Sequence, residues 1–267
     1  MCKECGCGLG GDVEIGGQSH DHSHDHGHLH DHDHGHSHPQ GPGGQTLTLQ
    51  RSLMEKNDRL AEQNRGFFRA KKLLVLNVVS SPGSGKTTFI RETAAKLAGK
   101  LRIGVIVGDL ATDNDAARLR TAGIPVVQIT TGTVCHLDSS MVAKAAEQLD
   151  MDKLDVLVIE NVGNLVCPAD YDLGEDLRVV LLSVTEGEDK PLKYPPMFHS
   201  AQVVVVTKSD MAAAAGFDRD QAIANLKRIS HHASIFELSS KTGEGMKAWL
   251  EFLTEQSAAA KSQKQAH

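Results

Sequence analysis

Leu73-Leu74-Val75-Leu76-Asn77-Val78-Val79-Ser80-Ser81-Pro82-Gly83-Ser84-Gly85-Lys86-Thr87-Thr88 is the stretch that decides the fold. Its first half, an apolar run broken only by Asn77, reads as a parallel strand buried on both faces. It runs into a Gly/Ser turn, and the residues up to 97 continue as a helix. Strand, glycine turn and helix in that order make a phosphate-binding loop, because backbone N–H groups at a helix N-terminus cradle phosphates. Lys86 is then placed to reach the β- and γ-phosphates and Thr87 to ligate Mg²⁺, with Gly83, Ser84, Gly85 and Thr88 completing the loop. The first glycine of the general GxxxxGK[ST] pattern is Ser80 here, while the helix-proximal half is intact.

Outward from that stretch the alternation continues. Strands are expected at 73–79, 102–107, 155–159, 179–184, 202–206 and 234–238, and helices at 113–122, 137–149, 218–230 and 245–255. This predicts an α/β fold, a mostly parallel sheet with flanking helices, whose sites lie at the carboxyl ends of the strands. Thr207-Lys208-Ser209-Asp210 stands at one such end. In that pattern the carboxylate of Asp210 accepts hydrogen bonds from guanine N1–H and the exocyclic amine, a donor pair that adenine lacks, and Lys208 lies across base and ribose. Ser240 and Lys241 follow the last strand as a companion base loop. Asp109 and Glu160 end strands beside the phosphate loop and are the candidate switch carboxylates, each able to hold Mg²⁺ directly or through water. Asp113 and Asp115 compete with Asp109, and one of them fits a helix N-cap instead.

A polar helix over 50–72 precedes this body, with Leu53, Leu60, Phe67 and Phe68 as its apolar positions. The expected organisation is a Cys-cluster metal segment (1–17), a His-rich disordered segment with linker (18–45), an N-terminal helix (46–72), a GTPase domain (73–257) and a flexible tail (258–267). The 267 residues suffice for a large core, and with only seven Phe, two Tyr and one Trp they favour a layered α/β build. No signal peptide opens the chain and no apolar run could span a bilayer, so a cytoplasmic protein is expected. Lys3 against Glu4, Asp12, Glu14, Asp21, Asp25, Asp31 and Asp33 accounts for the whole net charge of −6. The neutral remainder offers no broad footprint for nucleic acid.

The first fifth of the chain carries metal chemistry instead. Cys2, Cys5 and Cys7 bring three thiolates within reach of one ion, with Gly6 and Gly8 allowing tight turns. His20, His22, His24, His26, His28, His30, His32, His34, His36 and His38 occupy every even position of their stretch, interleaved with Asp, Gly, Ser and one Leu. Imidazole suits Ni²⁺, Zn²⁺ and Cu²⁺, so the tract reads as a loose buffer for several ions; a low-complexity spacer is the plain alternative. Neither segment can bury a core, so both are expected to be disordered without a ligand. Five cysteines in a chain with no export signal argue against a disulfide framework. Cys135 and His136 before a helix, and Cys167 seven residues after Glu160, are a suitable Zn²⁺ or Ni²⁺ set if they converge, and buried filler if they do not.

Together these residues resemble the HypB family, the nickel-incorporation GTPases of [NiFe]-hydrogenase maturation. The carriers are CxxCGC from Cys2, the His-rich insert, SSPGSGKTT from Ser80, GDLATDNDAARL from Gly108, TGTVCHLD from Thr131, ENVGNLVCP from Glu160, KYPPMF from Lys193 and TKSD from Thr207. The resemblance implies a SIMIBI-class G domain that dimerises with GTP, with Cys135, His136 and Cys167 as an interface metal site. It further implies slow GTP hydrolysis coupled to delivery of Ni²⁺ to the hydrogenase large subunit. Partners would be the zinc-containing HypA and, in some bacteria, a metal-binding prolyl isomerase. Two rivals remain: a urease-type nickel accessory GTPase, whose internal motif is Cys-Pro-His, and a nickel storage protein with an ancillary G domain.

Overall fold

A computed structural model describes residues 13–16, 18–20 and 42–262. Nine strands are described: β1 (Val13–Ile15), β2 (Gln18–His20), β3 (Leu74–Ser80), β4 (Ile103–Asp109), β5 (Val126–Thr130), β6 (Val156–Glu160), β7 (Leu177–Ser183), β8 (Val203–Thr207) and β9 (Ser234–Glu237). The helices are α1 (Pro42–Ala70), α2 (Lys86–Leu97), α3 (Asn114–Thr121), α4 (Ser139–Ala146), α5 (Lys190–Lys193), α6 (Pro195–His199), α7 (Ala212–Ala215), α8 (Arg219–Ile229) and α9 (Met246–Ser262). All strands lie in one sheet of order β2-β1-β5-β4-β6-β3-β7-β8-β9. From β5 to β9 every pairing is parallel.

The sheet's buried strands explain their apolar runs. Every residue of β3, β6 and β8 is buried, because helices cover both faces. Leu74, Leu76 and Val78 point to one face, where Phe89, Ile90 and Trp249 from α2 and α9 meet them. Val75 points to the other, joining Phe68 of α1 and Met141, Val142 and Ala145 of α4. Trp249 is fully buried and its indole N–H donates to Thr93 Oγ1 at 3.0 Å, so its polar edge is satisfied. β3 is the switch point, with β6 on one side and β7 on the other, which opens a crevice at its carboxyl end.

Several expectations are corrected. The short strand β5 was not among those expected; Gln128 sits in it, buried, its amide donating to the carbonyls of Thr112 and Ile129. Within the N-terminal tail, residues 13–16 and 18–20 are described and include two short strands. There β1 pairs antiparallel with β2 and with β5, because Ile15 reaches the core next to Ile129 and is 1% exposed. α1 begins at Pro42, earlier than expected, and only part of its expected apolar face is buried. Leu53 and Phe67 are exposed, while Asn57, Ala61, Asn64 and Phe68 are buried. α9 extends to Ser262, past the expected domain end, because Lys261 Nζ donates to the buried carboxylate of Asp155 at 2.7 Å. Arg102, bidentate on the same carboxylate, and Lys261 hold Asp155 below the usual carboxylate range. Among the described residues, no helix is long and apolar enough to cross a membrane.

Candidate functional site

The loop after β3 is wound as the sequence demands. Gly83 and Gly85 have φ of 75° and 100°, the left-handed turns that aim successive N–H groups inward ahead of α2. Ser84 Oγ donates to Ser80 Oγ, so the serine that replaces the usual first glycine closes the loop from within. Lys86 Nζ donates to that same Ser80 hydroxyl at 3.0 Å, and desolvation lowers its pKa. Thr87 Oγ1 donates to Glu160 Oε1 at 2.7 Å, while Glu160 Oε2 is buried without a partner. Burial pushes the Glu160 carboxyl up to about 7, against the opposing pull of Thr87 and Lys86. Asp115 acts on both Lys86 and Glu160 more strongly than Asp109 does. Asp109 instead closes its own loop, accepting from Leu110 N and from Thr112 Oγ1. Asp113 occupies the N-cap position of α3, but its carboxylate takes Arg120.

The base loops adjoin this centre. Thr207 Oγ1 donates to Ser84 O and Lys208 Nζ to Gly83 O, tying the TKSD turn to the phosphate loop. Ser209 N donates to Leu238 O at 3.3 Å, which brings the Ser240–Lys241 loop alongside. Asp210 is exposed at the rim, with its carboxylate open to a ligand. Thr88 is likewise exposed on the first turn of α2. Two residues the sequence reading missed also approach the loop. Lys190 Nζ donates to Ser81 Oγ at 3.4 Å, and Glu186 acts electrostatically on Lys86. Both follow β7, and their position after a buried strand was the available signal.

Cys135, His136 and Cys167 converge. One ligand atom from each lies within 4.8 Å of the other two, which is the one such cluster among the described residues. The two sulfurs are 2.8 Å apart. His136 is buried, its Nδ1 is unpartnered, and desolvation lowers its pKa, so the imidazole is neutral and keeps a lone pair at neutral pH. Its ring stacks on Tyr171 with centroids 3.9 Å apart, a contact that no sequence spacing announced. Two thiols and a neutral imidazole are a donor set for borderline divalent ions such as Zn²⁺ and Ni²⁺. The cluster is also wired to the nucleotide loops. Between Glu160 and Cys167, Gly163 lies flush on Pro82 of the phosphate loop, where a Cβ would meet the proline at 3.1 Å. One residue on, Asn164 Nδ2 donates to Cys135 O at 3.2 Å. Cys2, Cys5, Cys7 and the histidines from His22 to His38 lie outside the described residues, and His20 ends β2.

This arrangement has known counterparts. A model of the CobW/HypB/UreG nucleotide-binding domain matches residues 74–237. The hydrogenase maturation factor HypB of Escherichia coli K12 is 50% identical over 213 residues, covering 80% of this chain and 73% of that protein. The chain belongs to the HypB family. A crystal structure of HypB from Helicobacter pylori in complex with nickel superposes with a TM-score of 0.73 at 43% identity, over 76% of this chain and 96% of that one. HypB from Archaeoglobus fulgidus gives 0.72 at 40% identity, over 76% and 99%. The body is thus a nucleotide-binding domain of P-loop type, and the HypB resemblance drawn from the sequence holds.

Proposed function

We propose that the chain is a GTP-hydrolysing nickel metallochaperone that serves the large subunit of [NiFe]-hydrogenase during maturation. The observation that carries this is the convergence of Cys135, His136 and Cys167 on loops that leave the same strand ends as the nucleotide groups. Guanine is selected by Asp210, with Lys208, Ser240 and Lys241 around the base. Gly83, Ser84, Gly85 and Thr88 supply the phosphate cradle, and Lys86 neutralises charge that builds on the γ-phosphate oxygens during hydrolysis. The hydroxyl of Thr87 and the unpartnered buried oxygen of Glu160 form a hard oxygen set that fits Mg²⁺, with Asp109 as a further candidate. When bound there, Mg²⁺ would supply charge neutralisation at the β- and γ-phosphates. Slow turnover is what the resemblance to the HypB family implies.

Nickel is the cargo. Cys2, Cys5 and Cys7 bind it tightly, His20 to His38 buffer it, and Cys135, His136 and Cys167 take Ni²⁺ or Zn²⁺ under nucleotide control. The GTP-bound chain forms a homodimer in which this last site is shared across the two-fold axis. HypA, and in some bacteria a metal-binding prolyl isomerase, are the partners in transfer. The test is nickel transfer from the loaded chain to apo-hydrogenase large subunit. Transfer with GTP that fails with a non-hydrolysable analogue supports the reading; transfer indifferent to nucleotide reduces the chain to a nickel store.

A further inference from the structure

We infer that Asn57 and Asn64 of α1 are positioning residues of the metal centre, clamping together the two backbone segments that carry its ligands. This rests on reading Cys135, His136 and Cys167 as a metal centre. Those ligands come from two loops that are far apart in sequence. Cys135 and His136 lead into α4, which starts at Ser139; Cys167 opens a short 3-10 turn that leads to Asp172 and Leu173. α1 touches both. Asn57 Oδ1 accepts from Ser139 N at 2.9 Å while its Nδ2 donates to Asp172 O at 2.9 Å. Seven residues on, Asn64 Nδ2 donates to Ser139 O at 2.8 Å and to Leu173 O at 3.2 Å. Each amide therefore bridges the two segments.

The surroundings fit a clamp better than casual packing. A spacing of seven places both amides on one helical face. They are 5% and 6% exposed, with Ala61 fully buried between them. Asparagine is a poor helix former and a costly group to bury, so two of them on a core face are explained by the bonds they make. The Cys167 side is pressed onto α1 at Gly174, whose φ is 89° and where a Cβ would meet Ala61 O at 2.7 Å. Arg65, on the same helix, grips the Asp172 carboxylate through two bonds of 2.9 and 2.7 Å. Ser139 Oγ donates to Asp172 O at 2.6 Å and His136 stacks on Tyr171, so the segments touch where α1 holds them. Metal sites depend on such outer partners to orient their ligands.

The test uses the full chain with Cys2→Ala, Cys5→Ala and Cys7→Ala, which leaves Cys135 and Cys167 as its only thiols. Sulfur-to-nickel charge-transfer absorption then reports this centre alone, whatever the histidines bind. Nickel alone is titrated into this parent and into the same chain carrying Asn64→Asp, which keeps the shape but turns an acceptor toward two carbonyl oxygens. The expected result is a weakened band and roughly 10–100-fold weaker nickel binding, with far-UV circular dichroism and GTP affinity unchanged. Asn57→Ser, a milder change, shifts both in the same direction and carries the test if Asn64→Asp does not fold. A folded variant with an unchanged band and affinity, whatever its melting temperature, overturns the positioning role. Absence of the band in the parent overturns the metal reading and this inference with it, so the two failures are distinguishable.

Discussion

The nucleotide loops and the metal cluster lie at the same end of one sheet, yet they are built differently. Each nucleotide motif is contiguous in the chain: Lys86 and Thr87 stand in the turn between β3 and α2, and Thr207 to Asp210 at the end of β8, with Thr207 and Lys208 then tied back to Ser84 and Gly83. The metal cluster is assembled across distance, from the loop after β5 and the segment after β6, with α1 reaching from outside the sheet to hold them. Local construction leaves a contiguous motif in the sequence. Assembly across distance does not. The segment from Glu160 to Cys167 belongs to both constructions, touching Pro82 at Gly163 and the carbonyl of Cys135 at Asn164.

The largest effect should fall on the local side. Lys86→Ala is expected to lower kcat for GTP about 10²–10³-fold, equivalent to about 3–4 kcal/mol of transition-state stabilisation. In a chain that also carries Cys2→Ala, Cys5→Ala and Cys7→Ala, nickel absorption at Cys135 and Cys167 without nucleotide should be unaffected. Steady-state hydrolysis and a nickel titration on the same sample check both halves, and loss of nickel binding in Lys86→Ala would erase the proposed division.

Glu160 sharpens the comparison from the shared segment. Its carboxyl is raised from 4.5 to about 7 in the folded chain, so folding favours the protonated form. Stability from this group is full below pH 4.5 and is lost as pH rises through 7, with a total cost of about 3 kcal/mol at pH 8. In chelator without nucleotide, Glu160→Gln should therefore be more stable than the parent at pH 8 by up to that amount, and the gap should close by pH 5. Urea denaturation at the two pH values decides it, because the difference cancels the histidines common to both proteins. A gap that does not depend on pH would mean that Glu160 is already ionised in the fold.

Ile15→Ala is expected to cost about 2 kcal/mol, less than a central core truncation, because β1 and β2 can leave the edge of the sheet together without unfolding it. Hydrogen exchange should show faster opening of β5 and little change in β3. Equal acceleration in both strands would make the hairpin part of the global core.

These contrasts also explain what was legible. The parallel sheet, the phosphate loop and the TKSD turn could be read because buried strands write apolar runs and their loops are contiguous. β5 was missed because Gln128 and Thr130 break its run, although Gln128 is buried and hydrogen-bonded. Ile15 was missed because Val13 and Ile15, two apolar residues in a Gly-rich stretch, are too few to set a period. On α1 the apolar positions pointed to the inward face only in part: Phe68 is buried there, Leu53 and Phe67 are outside, and Asn57 and Asn64 share the inward face. Cys135, His136 and Cys167 were legible as donors, but their convergence was not, since it depends on contacts 32 to 115 residues apart in the chain.

Coupling of nucleotide to metal should run through the segment from Glu160 to Cys167. The direct measurement is the nickel affinity of the full chain carrying Cys2→Ala, Cys5→Ala and Cys7→Ala, read by sulfur-to-nickel absorption, first with GDP and then with a non-hydrolysable GTP analogue. The affinities should differ by ~5–150-fold, with the same factor appearing in nucleotide affinity when nickel is present, and no difference once Cys167→Ala is added. Identical nickel affinities in the two nucleotide states would contradict the coupling.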